Sequence, residues 1–350
     1  MQQHAVLFLK TKHIGDSIVL TSAISALPEA CCVDVLCFKE SAPIFEMNPR
    51  VRNVFVVPRH LKGWARFMQD IKLIKEIRAQ QYDLLAQFSD DWRGAFLARM
   101  LNVKNSVARA AKKRPAFWSH SFKAIAKLAP KARHAAEQDV DLLRRLHLYT
   151  EAIAPAYQIE VPVAAARFVD DWLVQHFSKP MKSGRLVVIH AAARWKFKGI
   201  QNATWVSVID DLSKRGYAVV LSGSSSDLVF NQTLANLCQV TPNIVSDFDL
   251  PKTAALIQAA DLLVSIDSMA IHMASAVQTP VIALFGPTDD KVWSPWRVKH
   301  IVLALDGNDA PSFACRPCGL DGCAGSKISQ CLYAISASQI LAAIDDLLVG

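Results

Sequence analysis

Short apolar runs alternate along this chain with longer segments in which apolar residues recur every three or four positions. The first pattern is typical of buried strands and the second of amphipathic helices. The apolar runs predict strands at residues 6–9, 33–37, 54–57, 82–88, 103–108, 186–190, 218–222, 262–266, 281–285 and 301–305. The amphipathic segments predict helices at residues 17–27, 61–80, 92–101, 203–214, 227–238, 253–259, 269–276 and 336–348.

Near-continuous apolar strands that alternate with helices indicate parallel sheets covered on both faces. The alternation occurs twice, on either side of the polar stretch 178–185. We therefore predict an α/β protein with two Rossmann-like doubly wound domains, 1–177 and 186–335, and expect them to face a central cleft. We expect the last helix, within 336–350, to pack back on the first domain. Ligands of such sheets bind at the carboxyl ends of the strands, so this organisation predicts two substrates.

Composition narrows the class of protein. The chain has 350 residues, of which 52% are hydrophobic and 20% charged, which excludes disordered, collagen-like and low-complexity proteins. Its apolar runs are well short of the ~18 residues of a membrane span, and MQQHAVLFLK lacks the pattern of a signal peptide. We expect a cytoplasmic protein whose eight cysteines stay as thiols.

The positive charge is concentrated in one region. The net charge is +8, residues 59–149 hold 19 basic and 8 acidic side chains, and residues 92–136 hold eleven basic and no acidic ones. A field of one sign over this length indicates an anionic partner, namely a phosphorylated lipid, a nucleic acid or a nucleotide. The alternative is a solvated basic helical surface.

The first candidate site follows the first predicted strand. Gly15 permits a tight turn into a helix, and Asp16 would lie near the start of that helix, where a carboxylate can act as a general base. One alternative is a helix cap, because Asp and Ser are favoured there. Another is a serine-hydrolase turn built on Ser17, but Asp267 and His272 have the wrong spacing to complete it.

The second candidate site follows the strand 186–190. Small residues precede Arg194, Lys196 and Lys198, so backbone N–H groups and three cations would be close to one another. The arrangement suits a diphosphate, although it is neither a P-loop nor a Gly-x-Gly-x-x-Gly turn. An exposed basic loop is the alternative.

The third candidate site follows the strand 262–266. Asp267 and Ser268 precede a helix whose N-terminal N–H groups and dipole would hold phosphate oxygens. His272 lies four residues after Ser268 and therefore on the same face. The alternative is a capped core helix with a buried histidine.

The chain also contains a cluster of four cysteines: Cys315, Cys318, Cys323 and Cys331. Four thiols over such a short segment are candidate zinc ligands, although the spacing of the last two is irregular for a zinc ribbon. Free or packed thiols are the alternative, and we expect no metal or other cofactor.

The motifs together resemble the heptosyltransferases of glycosyltransferase family 9, which have a GT-B fold and build the inner core of bacterial lipopolysaccharide. The resemblance spans the chain and is carried, in order, by HIGDSIVLTSAISAL, YDLLAQFSDDW, ARWKFKG, DSMAIHMASAVQTPVIALFGPTD and the cysteine segment. AFWSHSF and RWKFK are most similar to the heptosyltransferase III branch. The chain departs from the family pattern at Ala192, Ala193, Ile200 and Met269.

The resemblance implies an inverting transfer of heptose from ADP-L-glycero-β-D-manno-heptose to a core sugar. It implies that Asp16 is the base. The implied donor-binding residues are Arg194, Lys196, Lys198, Asp227, Asp267, Ser268, Met269 and His272.

On the acceptor side, the resemblance implies a phosphorylated lipid A–core molecule at the inner face of the inner membrane, with peripheral membrane contact. The acceptor-binding candidates are Lys12, His13, Arg93, Lys112, Lys113 and Arg114. Another nucleotide sugar, or a non-catalytic anion- or nucleic-acid-binding role, remains an alternative. The clustered aromatic residues near the basic stretch argue against nucleic acid, because a stacking platform has aromatic and basic residues interleaved.

Overall fold

The computed structural model describes residues 4–59, 61–111, 114–127, 133–149, 154–177, 185–305 and 313–349. Two units make up the chain, Met1–Glu160 and Val161–Gly350. Within the described ranges, no helix is long and apolar enough to cross a membrane. Lys112 and Lys113, predicted to bind an acceptor, lie outside the described residues.

The first unit is built on a parallel sheet. Its strands are β1 (His4–Lys10), β2 (Cys31–Cys37), β3 (Val51–Val56), β4 (Leu84–Gln87), β5 (Asn105–Arg109) and β6 (Ala124–Ala126). Its helices are α1 (Ile14–Ser25), α2 (Ala42–Glu46), α3 (Gly63–Ala79), α4 (Trp92–Leu101), α5 (Ala116–Ser119) and α6 (Ala135–Arg145). The strands lie in the order β3-β2-β1-β4-β5-β6, the doubly wound arrangement that the sequence predicts.

Helices cover both faces of this sheet because successive strand residues point to opposite sides. In β1, Val6 and Phe8 are buried in a core that includes residues of α1, α2 and α6. Leu7 and Leu9 are buried in a second core with residues of α3, α4 and α5. Burial on both faces is the reason that these strands appear in the sequence as continuous apolar runs.

The second unit repeats this architecture. Its strands are β7 (Leu186–His190), β8 (Ala218–Ser222), β9 (Asn243–Val245), β10 (Leu262–Ile266), β11 (Val281–Leu284) and β12 (His300–Leu303), in the order β12-β11-β10-β7-β8-β9. Its helices are α7 (Val163–His176), α8 (Asn202–Lys214), α9 (Leu228–Leu237), α10 (Leu250–Ala259), α11 (Met269–Val277), α12 (Asp290–Trp293), α13 (Gln330–Tyr333) and α14 (Ala337–Val349). The prediction of two parallel sheets with flanking helices is confirmed.

The sequence pattern missed several elements. The edge strands β6 and β9 have three residues each, too few to show a periodic pattern. Helix α7 was also missed, and it belongs to the second unit instead of ending the first at residue 177. Its Trp172 contacts Phe248 edge-on with ring centres 5.7 Å apart, and Lys252 of α10 lies 4.5 Å from the ring centre of Phe168.

The apolar face of the C-terminal helix belongs to the second unit. Helix α14 buries Ile340, Ala343, Ile344 and Leu347 in the core of that unit. That core also contains Trp205 of α8 and strand residues of the second sheet. The last helix of the chain therefore completes the hydrophobic core of the second unit.

Replacing Ile344 with alanine tests this packing. Ile344 is fully buried, so we expect Ile344→Ala to lower the free energy of unfolding by about 2–5 kcal/mol through lost transfer energy and a residual cavity. Chemical denaturation of the full chain measures the change. Asp346→Asn, on the exposed side of the same helix, should stay within about 0.5 kcal/mol of wild type. A loss below about 1 kcal/mol for Ile344→Ala would contradict the burial of this helix.

Candidate active site

Each unit has one place where the strand order reverses. In the first sheet it lies between β1 and β4, and in the second between β7 and β10. Ligands of doubly wound sheets bind outside the carboxyl ends of the strands at such switch points. The loops that follow these four strands are therefore the natural positions for a site in each unit.

Polar contacts join the loops at the switch point of the first unit. The backbone N–H of Thr11 donates to Ser89 Oγ at 2.7 Å, and the Thr11 hydroxyl donates to Asp91. Lys12 pairs with Asp90 at 3.2 Å. The loops after β1 and β4 are thus tied together, which fixes the chain leading into α1.

Asp16 lies in the first turn of α1 and is half-buried. The N-cap of this helix is His13, so the capping alternative for Asp16 is wrong. The Asp16 carboxylate forms no hydrogen bond or ion pair with the described residues of the chain. The serine-hydrolase alternative also fails, because Ser17 is fully buried and its hydroxyl donates to the His13 carbonyl at 3.2 Å.

A buried charge cluster lies beneath this edge of the sheet. Lys10, the last residue of β1, donates to Asp139 of α6 at 3.0 Å, and Arg109, the last residue of β5, also pairs with Asp139. The side chains of Lys10 and Asp139 are 4% and 1% exposed. Because two cations share one carboxylate, the cluster carries a net positive charge at the carboxyl edge. The cluster was not predicted from the sequence, although the polar last residues of two apolar strands are a signal of it.

The other candidate acceptor residues lie around the same edge. Lys12 and His13 are exposed, and Arg93 and Arg114 are half-buried. Arg93 is in the first turn of α4, where its backbone N–H donates to Asp91 at 2.8 Å. The guanidinium of Arg114 lies 5.7 Å from the ring centre of Trp92.

An ion pair spans the switch point of the second unit. Lys198 Nζ donates to Asp267 Oδ2 at 2.6 Å, joining the loop after β7 to the residue that follows β10. Asp267 is buried, and the Lys198 side chain is 22% exposed. An ammonium group has three donors, so Lys198 can hold Asp267 and still donate to a second anion.

The N-terminus of α11 begins directly after Asp267. Ser268 is the N-cap, and its hydroxyl accepts from the Ala270 N–H at 3.2 Å. Half-buried Met269 is the first residue of the helix, so its N–H belongs to the turn that carries the positive end of the dipole. A cation and a helix N-terminus therefore lie together, an arrangement that favours a phosphate group.

The side chain of His272 is less accessible than its predicted role in ligand binding requires. It is buried, and its ring meets Trp293 edge-on with centres 6.1 Å apart. This position matches the alternative of a capped core helix with a buried histidine. The proposed role of His272 in binding therefore has less geometric support than that of Lys198.

The rest of the loop after β7 has mixed exposure. Arg194 and Lys196 are exposed, and the Arg194 guanidinium lies 5.4 Å from the ring centre of Trp195. Lys196 and Lys198 are the first and last residues of a short 3-10 turn. Lys196 is exposed, whereas Lys198 pairs with Asp267. The hydroxyl of Ser329 donates to the Phe197 carbonyl at 2.7 Å and so braces this turn.

Asp227 and His190 lie near the ends of β8 and β7. Asp227 accepts from the N–H and the hydroxyl of Ser224 at 2.8 and 2.5 Å, so it has a capping role in its own turn. His190 Nδ1 lies 3.0 Å from Ser222 Oγ. Burial lowers the pKa of His190, and the charge of Asp227 opposes part of that shift. The position of His190 at a strand end was a signal that the sequence analysis did not use.

The four cysteines between residues 315 and 331 form no metal site within the described part of the chain. Across the described ranges, no group of three or more His, Cys, Asp or Glu side chains has an arrangement that could hold a metal ion. Cys315 is exposed, Cys318 and Cys323 are half-buried, and Cys331 is buried. Burial raises the pKa of the Cys331 thiol, and nearby Arg316 opposes the shift.

Two units, each a doubly wound parallel sheet with polar loops at its switch point, have the architecture of the GT-B fold. The glycosyltransferase family 9 protein of Veillonella parvula DSM 2008 has this fold (TM-score 0.85, 20% identity, covering 100% of this chain and 98% of that one). So does E. coli heptosyltransferase WaaC with ADP-2-deoxy-2-fluoro heptose (TM-score 0.72, 18% identity, covering 98% and 99%).

Sequence comparison defines the family. The protein-family model for "Glycosyltransferase family 9 (heptosyltransferase)" matches residues 71–318 of this chain. Lipopolysaccharide heptosyltransferase 3 of E. coli is 30% identical over 345 residues, covering 95% of this chain and 96% of that protein. This chain belongs to glycosyltransferase family 9, as the motifs in its sequence predict.

Proposed function

We propose that this enzyme transfers heptose from ADP-L-glycero-β-D-manno-heptose to the inner core of lipopolysaccharide, in the manner of the heptosyltransferase III branch. The observation that carries the proposal is the Lys198–Asp267 pair beside the N-terminus of α11. A relative with the same fold binds an ADP-heptose analogue, and the relative named above is a lipopolysaccharide heptosyltransferase. An anion-binding loop in the second unit suits the diphosphate of such a donor.

The proposed chemistry is a single inverting displacement. Asp16 accepts the proton of the acceptor hydroxyl while the oxygen attacks the anomeric carbon, and the bond from that carbon to the diphosphate breaks. Negative charge then develops on the departing ADP. Lys198, Arg194 and the N–H groups at the start of α11 stabilise it, because donors fixed before the reaction need little reorganisation.

The proposed acceptor is a phosphorylated lipid A–core molecule bound by the first unit. Lys12, His13, Arg93 and Arg114 are the described candidates for its phosphate groups, and the positive cluster around Asp139 adds to the local field. Such an acceptor is anchored in a membrane, so we propose that the enzyme works in the cytoplasm at the inner face of the inner membrane.

A panel of nucleotide sugars tests the donor. ADP-L-glycero-β-D-manno-heptose at 100 times its dissociation constant should stabilise the protein by about 2.7 kcal/mol, measured as a shift in thermal unfolding. UDP- and GDP-sugars are the controls. The same donor should give a product extended by one heptose on a heptose-deficient core acceptor, detected by mass spectrometry. Stabilisation by a different nucleotide sugar, with no heptose transfer, would contradict the proposal.

A further inference from the structure

Exposed apolar side chains form a patch on α4 and α5. Trp92, Phe96 and Met100 follow one another at four-residue spacing on α4 and therefore share a face, and they are 38%, 55% and 50% exposed. The ring of Phe117 on α5 lies 6.1 Å from that of Trp92, which lies 6.5 Å from that of Phe96. We call these four residues the aromatic patch.

The aromatic patch has no role in the core of its unit. Helix α4 packs on the sheet through Ala95, Leu97 and Ala98, so its larger apolar side chains face away from the core. Large contiguous apolar surfaces of this kind mark interaction sites.

Arginine side chains border the patch. The guanidinium of Arg99 lies 4.2 Å from the ring centre of Phe117 and donates to Ser121 Oγ at 2.8 Å. Arg114 lies over Trp92. Residues 92–136 contain no acidic side chain, and of the two aspartates that precede Trp92, Asp90 pairs with Lys12, so basic side chains outnumber acidic ones around the patch.

This combination fits a lipid surface better than nucleic acid. Guanidinium groups already cover faces of Phe117 and Trp92, whereas a platform for single-stranded nucleic acid needs open ring faces on which bases stack. At a bilayer, aromatic rings lie at the headgroup level and basic residues pair with anionic lipids.

Helix α3 carries a similar feature. Trp64, Phe67 and Met68 lie in its first two turns and are 73%, 52% and 48% exposed, with the two rings 5.3 Å apart. Its buried residue, Ile77, belongs to the same core as Ala95 and Ala98 of α4. Both helices therefore cover the same face of the first sheet.

We propose that the aromatic patch docks the first unit on an anionic lipid bilayer, with its rings in the interface and its arginines on the headgroups. The proposal rests on the proposed function, because an enzyme whose acceptor is anchored in a membrane must work at a lipid surface. The patch begins at Trp92, the first residue of α4, next to the carboxyl edge of the sheet. Trp118 of α5 donates to the neighbouring Asp91 carbonyl at 2.9 Å, which holds α5 at the same edge. Docking here brings that edge close to lipid-linked molecules.

Vesicle binding by the full chain tests the proposal. Wild type should co-sediment with vesicles of phosphatidylethanolamine and phosphatidylglycerol and not with phosphatidylcholine alone. The double variant Phe96→Ser with Phe117→Ser should lower the partition coefficient by about tenfold or more, because two half-exposed rings no longer enter the interface. The control is Val174→Ser with Val229→Ser, which removes exposed apolar side chains of the second unit and should bind as wild type does.

Quenching by brominated lipid locates the contact. Trp92→Phe should lose part of the fluorescence quenching that wild type shows on anionic vesicles. Equal partitioning of wild type and the Phe96/Phe117 variant, or equal binding to neutral and anionic vesicles, would overturn the proposal. Binding that phosphorylated core oligosaccharide abolishes would assign the patch to the acceptor glycan instead. Vesicle binding needs no donor or transfer, so its outcome is separate from that of the heptose assay.

Discussion

Asp16→Ala is expected to lower the turnover of sugar transfer by about 10²–10⁴-fold, the usual contribution of a general base. The half-buried Asp16 lies in the first turn of α1, and its carboxylate makes no hydrogen bond or ion pair with the described residues, so it is available to accept a proton. Initial rates with ADP-heptose and a heptose-deficient core acceptor measure the loss. ADP affinity should be unchanged, because the proposed donor contacts belong to the second unit.

Two further variants separate a base from a structural carboxylate. Asp16→Asn keeps the shape but cannot take the proton, so it should be as slow as Asp16→Ala, whereas Asp16→Glu should recover part of the rate. Asp70→Ala is the matched control, since Asp70 is a half-buried carboxylate of the same unit. Turnover of Asp16→Ala within about tenfold of wild type would remove Asp16 from the base role.

Lys198→Ala is expected to weaken ADP binding by about tenfold to a hundredfold, the range for losing a hydrogen bond to a charged group. Calorimetric titration of the full chain with ADP measures the change. Lys214→Ala, which removes an exposed lysine of the same unit, should bind ADP as wild type does. Lys196→Ala should have a smaller effect than Lys198→Ala, because Lys196 is exposed and lies outside the Asp267 pair.

A double-mutant cycle with Asp267→Asn shows how Lys198 acts. If Lys198 contacts the diphosphate, Lys198→Ala should still weaken ADP binding in the Asp267→Asn background. If Lys198 serves only to neutralise the buried Asp267, that background should abolish its effect. Unchanged ADP affinity in Lys198→Ala itself would contradict the phosphate role and assign it to Arg194 or Lys196.

Much of the candidate site was visible in the sequence because its parts are local. The turn at Gly15 and Asp16, the cap at Ser268 and the cations after β7 each lie within a few residues of a strand end, and strand ends can be located from apolar runs. The edge strands β6 and β9 were missed because three residues are too few to show a periodic pattern. Helix α7 was overlooked although its buried residues Ala165, Val169 and Leu173 recur at four-residue spacing. The core that α14 joins could not be identified from its sequence, because an apolar helix face does not identify the surface that it covers.

The sequence by itself determined the parallel, doubly wound architecture, the family and the loops that carry the chemistry, since these depend on short-range periodicity and on motifs. Only the tertiary structure decided which groups meet. Lys198 and Asp267 are 69 positions apart, and Lys10 and Asp139 are 129 apart. Trp92 and Phe117 meet because α4 and α5 cover the same sheet face. These contacts join residues that are distant in the chain, and they depend on how helices and loops pack on each sheet, which local sequence patterns do not encode.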